Sequence, residues 1–314
     1  MKEYQTGLKA TGYVNRPLLE LEVRGAGWSA TLAKAVNRKW GGGGDIHIHA
    51  SNWTTAQRAL DLIIASLTLY HGQPPTTGMG WLLAHNDDEP SSVGWDADIL
   101  EAKKQHTMGI MGIPVACAIA AKASRTARLA YSINRFAFSM ELSSQYGVDL
   151  EPGAPHLGIT AFPSVNLRRA YALLAAYTCI EDLDLQVKPA LDGQSTENGK
   201  LKTAVRKDLE ARLKKAGVDM RQPQLWTARG RPRRIDGRRG LAPIGKPPWS
   251  SGLIRDSYLD LCDAINHASW LRNKTAAHGV GELNMQLNSY DVDNVQHLAR
   301  RLLLEHLGFW KCYE

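Results

Sequence analysis

Apolar residues recur at helical spacing over residues 51–72, which is the most regular pattern in the chain. The stripe contains every third or fourth residue: Leu60, Ile63, Ile64 and Leu67. Ser51 or Asn52 can cap the first turn, and Gly72 is a typical residue after a last turn. The pattern predicts an amphipathic helix that packs one face into a core.

Further segments have the spacing or the capping residues of helices, and most of them lie in the second half of the chain. They are 119–146 before Gly147, 165–187 after a Ser164 cap, 201–217 up to Gly217, 253–278 before Gly279, and 292–307. In the segment before Gly279, the residues that can hold one face in a core are Leu253, Tyr258, Leu261, Ile265 and Leu271. The chain is therefore predicted to be mainly α.

Residues 18–50 differ, because apolar and polar side chains alternate in parts of this stretch. LLELEV at 18–23 and DIHIHA at 45–50 have the period of two that is typical of strands. Trp28–Trp40 between them is predicted as a short helix. Gly41–Gly44 is predicted as a flexible turn, because these glycines lack the spacing of a phosphate-binding loop.

Two domains are expected from the distribution of Gly, Pro and helical patterns. The residues GVDLEPGAPHLG, 147–158, are typical of a linker or domain boundary. We expect a regulatory or recognition domain over residues 1–150, of mixed α structure with a few strands. We expect a helical bundle over residues 160–314, with a long basic insertion at 221–250.

The net charge of +7 lies mostly in the second half. Residues 151–314 contain 24 Lys and Arg against 18 Asp and Glu, whereas residues 1–150 contain 14 against 13. The insertion 221–250 is either an RNA-backbone contact, with the flanking Trp226 and Trp249 stacking on bases, or a solvated loop. The residues predicted to bind RNA are Arg229, Arg231, Arg233, Arg234, Arg238, Arg239 and Lys274.

Several classes of protein are disfavoured. No apolar run approaches the roughly 20 residues that span a bilayer, and no signal-peptide core is evident, so a soluble cytoplasmic protein is expected. The four cysteines lie far apart, which indicates buried thiols. His47 and His49 share one strand face with Asp45, but no companion ligand set is evident, so neither a metal nor a cofactor is predicted.

The string Trp270–Gly279, WLRNKTAAHG, contains the residues best suited to chemistry. Gly279 can end a helix, which puts His278 in the last turn, where helix carbonyls favour the protonated imidazole. Arg272 lies six residues earlier and can border the same cleft without touching His278. An arginine binds phosphate through two N–H groups, and a histidine can move a proton near neutral pH.

This string resembles the signature of the HEPN superfamily, the higher-eukaryote and prokaryote nucleotide-binding helical domains. That signature is an Arg, often followed by a polar residue, then a short spacer and a His. Arg272, Asn273 and His278 match it. The resemblance covers roughly residues 164–314. The resemblance implies metal-independent RNA cleavage in which the ribose 2′-hydroxyl is the nucleophile. His278 would move the proton, Arg272 would stabilise the transition state, and Asn273 would orient the phosphate or His278.

The resemblance has three further implications. Glu181 resembles an acidic residue that many relatives carry on an early helix, and it is a weaker candidate for the site. The sites of two subunits face each other in related domains, so a homodimer is expected. Relatives commonly act as toxins or in antiphage defence, which implies an antitoxin or a trigger-sensing partner.

The spacing of Arg and His is not unique, since Arg300 or Arg301 precedes His306 at a similar distance. We interpret His306 as an ordinary polar position on the last helix. The pair Arg272 and His278 is favoured by its neighbouring residues and by the helix end at Gly279. Two alternatives to an endoribonuclease stay open. One is a non-catalytic helical scaffold that binds a nucleotide or a partner protein, and the other is an RNA-binding module that uses the insertion 221–250.

Overall fold

The computed structural model describes most of the chain in separate stretches. They are residues 1–11, 22–34, 43–72, 82–84, 112–144, 163–197, 200–229, 254–275, 287 and 289–310. By its contacts the chain divides into a first unit, Met1–Ala137, and a second unit, Phe138–Glu314. More of the described residues lie in helices than in strands, so the protein is mainly α, as the sequence predicted.

The first unit contains a five-stranded sheet of order β2-β3-β4-β1-β5, in which every neighbouring pair is antiparallel. Its strands are β1 (Lys2–Thr11), β2 (Glu22–Arg24), β3 (Trp28–Lys34), β4 (Gly43–Ala50) and β5 (Leu82–Ala84). The alternating pattern at 45–50 thus predicted β4 correctly. One face of β4 buries Ile46 and Ile48, while His47 and His49 point the opposite way, as the period of two requires.

The short helix predicted over Trp28–Trp40 is wrong for residues 28–34, which form β3. Trp28 and Ala30 are both buried, so the inward positions repeat every two residues and not every three or four. The backbone of β3 pairs with β4 from Trp28 opposite Ala50 to Lys34 opposite Gly44. Sheet pairing therefore overrides the weak helical pattern, while residues 35–42 lie outside the described part of the chain.

The predicted helix at 51–72 is confirmed as α1 (Trp53–His71). Between the two candidate caps the structure selects Asn52, whose Oδ1 accepts the Thr55 N–H at 2.9 Å. Gly72 ends the helix with φ 68°, a left-handed conformation that glycine adopts without a steric penalty. The helix packs against α2 (Gly112–Ala123), the next helix among the described residues.

The single helix predicted over 119–146 is wrong, because the chain forms two helices there, α2 and α3 (Ala127–Ser144). They are separated at Ser124, whose Oγ accepts the Ala26 N–H at 2.9 Å and donates to the Ala121 carbonyl at 2.8 Å. A serine side chain that bonds to backbone in this way competes with helix continuation. The local pattern does not indicate this break, since the backbone partner of Ser124 lies 98 residues away.

The second unit contains four helices within the described residues besides the end of α3. They are α4 (Pro163–Asp182), α5 (Thr203–Lys215), α6 (Leu261–Thr275) and α7 (Ser289–Leu307). Helices α4, α6 and α7 pack against one another, and α5 packs on α6. The segments predicted at 201–217 and 292–307 are thereby confirmed as α5 and α7.

Two helix boundaries differ from the prediction. α4 begins at Pro163, so Ser164 lies inside its first turn and not at the cap, because proline needs no N–H partner there. It ends at Asp182 and not at 187, since Asp184 adopts a left-handed conformation with φ 61° and Leu185 N–H returns to the Ile180 carbonyl.

The largest difference lies before α6, where the sequence predicted a helix from residue 253. Residues Ile254–Leu259 form strand β9, which pairs with β8 (Gln224–Arg229) as an antiparallel hairpin. The helix starts only at Leu261, because Asp260 Oδ1 accepts the Asp263 N–H at 3.0 Å and caps the first turn. A shorter hairpin, β6 (Thr196–Glu197) and β7 (Lys200–Leu201), precedes α5.

The second unit starts earlier than the predicted boundary near residue 150. The last turns of α3 belong to it, because Ser139 Oγ donates to the Ala172 carbonyl of α4 at 2.7 Å. Gln296 of α7 donates to Ser139 and Ser143 of the same turns. The predicted linker at 147–158 lies outside the described residues. No helix in the described stretches has the length and apolar character that crossing a membrane requires.

Candidate active site

Arg272 lies in the last turn of α6 that the structure describes, and it faces α4. Its Nη2 lies 3.4 Å from the Oε1 of Glu181, which lies in the last turn of α4. The two side chains are each about one-third exposed. The packing of α4 on α6 thus joins two predicted site residues that are far apart in the sequence.

A second acceptor also orients the Arg272 guanidinium. Its Nη1 donates to the Oδ1 of Asn273 at 3.1 Å, so the polar residue after the arginine orients it directly. Its Nε is buried and has no hydrogen-bond partner in the described part of the chain. The guanidinium is therefore tied to two acceptors at one end and has unused donor capacity.

Tyr177 lies behind this pair, one turn before Glu181 on the same face of α4. The Cζ of Arg272 lies 6.0 Å from the centroid of its ring, and the ring is buried. Burial raises the pKa of Tyr177 to about 12, against the opposing effect of a hydrogen bond with Ser269 and assisted by the charge of Glu181. Tyr177 is thus a neutral support for the arginine at physiological pH.

The sequence interpretation missed Tyr177 and Ser269, although their spacing offers a signal. Tyr177 precedes Glu181 by four residues and Ser269 precedes Arg272 by three, so each lies on the same helix face as the predicted site residue. Such spacing indicates a shared face on one helix. It does not show which two helices meet, and that contact decides the site.

Other predicted site residues fall where their side chains are not described. Lys274 lies in α6 and Arg229 is the last residue of β8, but neither side chain is among the described ones. His278 with Gly279, and the remaining predicted RNA-binding arginines, lie outside the described residues: Arg231, Arg233, Arg234, Arg238 and Arg239. Of the predicted catalytic residues, the structure therefore brings together Arg272, Asn273 and Glu181.

The second Arg and His spacing has a structural role. Arg301 is buried, and its guanidinium donates to Glu305 at 2.7 Å and to backbone carbonyls of Asp219, Gln222 and Pro223. The Nδ1 of His306 lies 3.1 Å from the Ala216 carbonyl and donates to it. Since these groups are used inside the fold, they leave Arg272 as the better candidate for chemistry.

A histidine on α6 itself also has to be considered, because His267 lies close to Arg272 in sequence. Its ring packs 5.7 Å from the ring of Trp226 on β8, and both side chains are buried. Burial lowers the pKa of His267 to about 4. This imidazole is a neutral core group and not an accessible acid or base. The stacking role expected for Trp226 is wrong for the same reason, since the ring is 0% exposed.

The buried state of His267 predicts how stability depends on pH. Its pKa in the folded protein, about 4, lies below the ordinary 6.5, so the unfolded chain binds the extra proton between these values. His267 is expected to cost roughly 3 kcal/mol of folding free energy as the pH falls from 7 to 4. Denaturant unfolding at a series of pH values measures this dependence. The free energy of unfolding should fall less between pH 7 and 4 in His267→Gln than in the natural protein. Equal losses would contradict the assignment.

The other chemical candidates of the sequence have simpler roles. Cys117, Cys179 and Cys262 are buried, as predicted, while Cys312 is not described. His47 bonds to Glu3, and His49 Nε2 lies 2.9 Å from Thr31 Oγ1. Among the described residues no group of three or more His, Cys, Asp or Glu could hold a metal ion.

Comparison of the chain with protein-family models, with curated proteins and with solved structures finds no match.

Proposed function

We propose that the second unit is a metal-independent endoribonuclease of the HEPN type, with its site at Arg272, Asn273 and His278. The observation that supports it best is the contact between Arg272 and Glu181 at 3.4 Å. The resemblance implied both residues, and they lie 91 residues apart in the sequence. Their meeting on adjacent helices is expected for a shared site and is not required by the spacing of either segment.

The proposed reaction uses the nucleophile that RNA carries. The ribose 2′-oxygen attacks the adjacent phosphorus, so a 2′-O–P bond forms and the P–O5′ bond breaks. His278 takes the proton of the 2′-hydroxyl, and the departing 5′-oxygen takes a proton from solvent water. The products are a 2′,3′-cyclic phosphate and a 5′-hydroxyl end. Arg272 donates to the phosphoryl oxygens, where negative charge builds in the transition state.

Glu181 and Asn273 are positioning residues in this proposal. Asn273 accepts a hydrogen bond from the Arg272 guanidinium, and Glu181 forms an ion pair with it. A fixed donor stabilises charge in the transition state without a reorganisation cost, which a mobile arginine would pay.

RNA is the proposed partner, and the resemblance extends the proposal to a homodimer that works as a toxin or in antiphage defence. An antitoxin or a trigger-sensing partner would then control it. The basic segment supports RNA as substrate, because residues 230–253 contain six Lys and Arg and one acid, Asp236. Strands β8 and β9 hold the two ends of that segment next to each other at Arg229 and Ile254.

The proposal is tested by incubating the purified protein with total RNA in the presence of EDTA. We expect cleavage that survives chelation, leaves 2′,3′-cyclic phosphate ends and disappears in His278→Ala. His306→Ala is the matched control, since it removes the other histidine at this spacing, and it should cleave as the natural protein does.

Three results would separate the alternatives. Cleavage that EDTA abolishes, or that His278→Ala retains, would contradict the proposed chemistry. Intact RNA together with salt-sensitive RNA binding would favour the RNA-binding module. The pairing of β8 with β9 at the two ends of the basic segment supports that alternative independently of Arg272. Intact RNA without binding, tested also with cell extract as a source of the trigger, would favour the scaffold.

A further inference from the structure

The outward face of the β8–β9 hairpin exposes an apolar and aromatic pair that the core does not use. Leu225 and Tyr258 are direct cross-strand partners, and they are 44% and 72% exposed. Their neighbours on the opposite face, Gln224, Trp226 and Leu259, are buried. Since adjacent residues of a strand point to opposite faces, Leu225 and Tyr258 form one small platform on the outer surface.

The hairpin is held firmly from behind. Asn294 of α7 bonds twice to the backbone of Thr227, accepting its N–H at 2.8 Å and donating to its carbonyl at 2.7 Å. These bonds cover the outer edge of β8 at that residue, and Trp226 anchors the same strand in the core. The platform is therefore fixed in place before any ligand binds, which lowers the entropic cost of binding.

We propose that Tyr258, with Leu225 beside it, is a stacking platform for a base of single-stranded RNA. This inference rests on the proposed function for the identity of the ligand. The composition of the sequence favours that ligand, because β8 and β9 are joined by residues 230–253, which contain six Lys and Arg and one acid. Such a segment attracts phosphates without sequence preference, and an exposed aromatic ring accepts any unpaired base.

The same chemistry argues for a single strand and against a duplex. In duplex RNA the bases are stacked inside the helix, and the ring of a tyrosine on a flat sheet face cannot reach between them. Unpaired bases can turn out of the strand and lie on the ring. Tyr258 is therefore expected to select unpaired segments, and the basic residues to supply affinity that depends on salt.

Binding should be measured by fluorescence anisotropy with a labelled single-stranded RNA, using the full chain with His278→Ala so that the RNA stays intact. Tyr258→Ala is expected to raise Kd by about 5- to 100-fold, the usual effect of losing one stacked base. Tyr258→Phe keeps the ring and should bind as the parent does. The control is Tyr171→Ala, which removes a tyrosine of α4 that is 55% exposed and should leave Kd unchanged.

Salt dependence separates stacking from charge. The slope of log Kd against log salt should be unchanged in Tyr258→Ala and smaller in Arg233→Ala with Arg234→Ala. An unchanged Kd in Tyr258→Ala, equal losses in the Phe and Ala variants, or equal affinity for duplex RNA would overturn the inference. So would a dimer that Tyr258→Ala dissociates without loss of RNA affinity. Failure of cleavage with binding retained would instead contradict only the proposed function.

Discussion

Replacing Arg272 with lysine is expected to slow RNA cleavage by about 10²- to 10³-fold, the usual cost of losing one fixed transition-state donor. Lysine keeps the positive charge and can still pair with Glu181, but it cannot donate two parallel N–H groups to a phosphate. The rate should be measured under single-turnover conditions, so that RNA binding and cleavage are separated. RNA affinity is expected to change little, because the total charge is conserved.

Arg206→Lys is the matched control for this measurement. Arg206 is similarly exposed at 34%, lies in the same unit and pairs with Asp260 and Asp263 at 3.2 and 2.6 Å. It should cleave as the natural protein does, because its ion pairs serve only the contact between α5 and α6. An equal loss of rate in both lysine variants, or no loss in either, would contradict the role assigned to Arg272.

Glu181→Gln distinguishes a positioning role from a purely structural one. The amide keeps the size of the side chain and loses the charge that holds the guanidinium. We expect a smaller loss of cleavage rate than in Arg272→Lys, and unchanged or tighter RNA binding, since one repulsive charge near the phosphates is gone. If the ion pair were purely structural, Glu181→Gln would lower the free energy of unfolding. The ratio of the cleavage rate to the RNA affinity would then stay unchanged.

Arg301→Ala is expected to lower the free energy of unfolding by about 3–5 kcal/mol, because it leaves the carboxylate of Glu305 buried without its partner. Arg301 and Glu305 are both almost fully buried and lie 2.7 Å apart. The arginine also donates to the carbonyls of Asp219, Gln222 and Pro223, which would lose these bonds. The segment that leads into β8 would thus lose these three bonds to α7.

Guanidinium denaturation followed by circular dichroism measures this loss. Arg221→Ala is the control, because Arg221 lies in the same segment but is almost fully exposed, and it should leave the midpoint unchanged. The double variant Arg301→Leu with Glu305→Leu should recover much of the stability, since it removes both charges together. A single-variant loss below about 1 kcal/mol would contradict the description of a buried ion pair.

Local patterns gave reliable predictions where one helix carries its own signals. α1 was predicted with its stop at Gly72 because an apolar stripe, a cap and a glycine agree over the same residues. α5 was predicted up to Gly217, whose φ is 81°, from its amphipathic pattern and that glycine, without a side-chain cap. The break at Ser124 and the strand β9 could not be predicted, because each depends on a partner elsewhere in the chain.

The candidate site divides in the same way. The sequence by itself determined the helical character of the second unit, the location of its positive charge and the choice of Arg272 as a residue suited to phosphate. Only the tertiary structure decided that Arg272 meets Glu181, that Arg301 and Trp226 are core residues and that Tyr258 is exposed. The physical reason is that spacing along one element fixes which residues share a face. The burial and ion pairing of that face depend on the element packed against it.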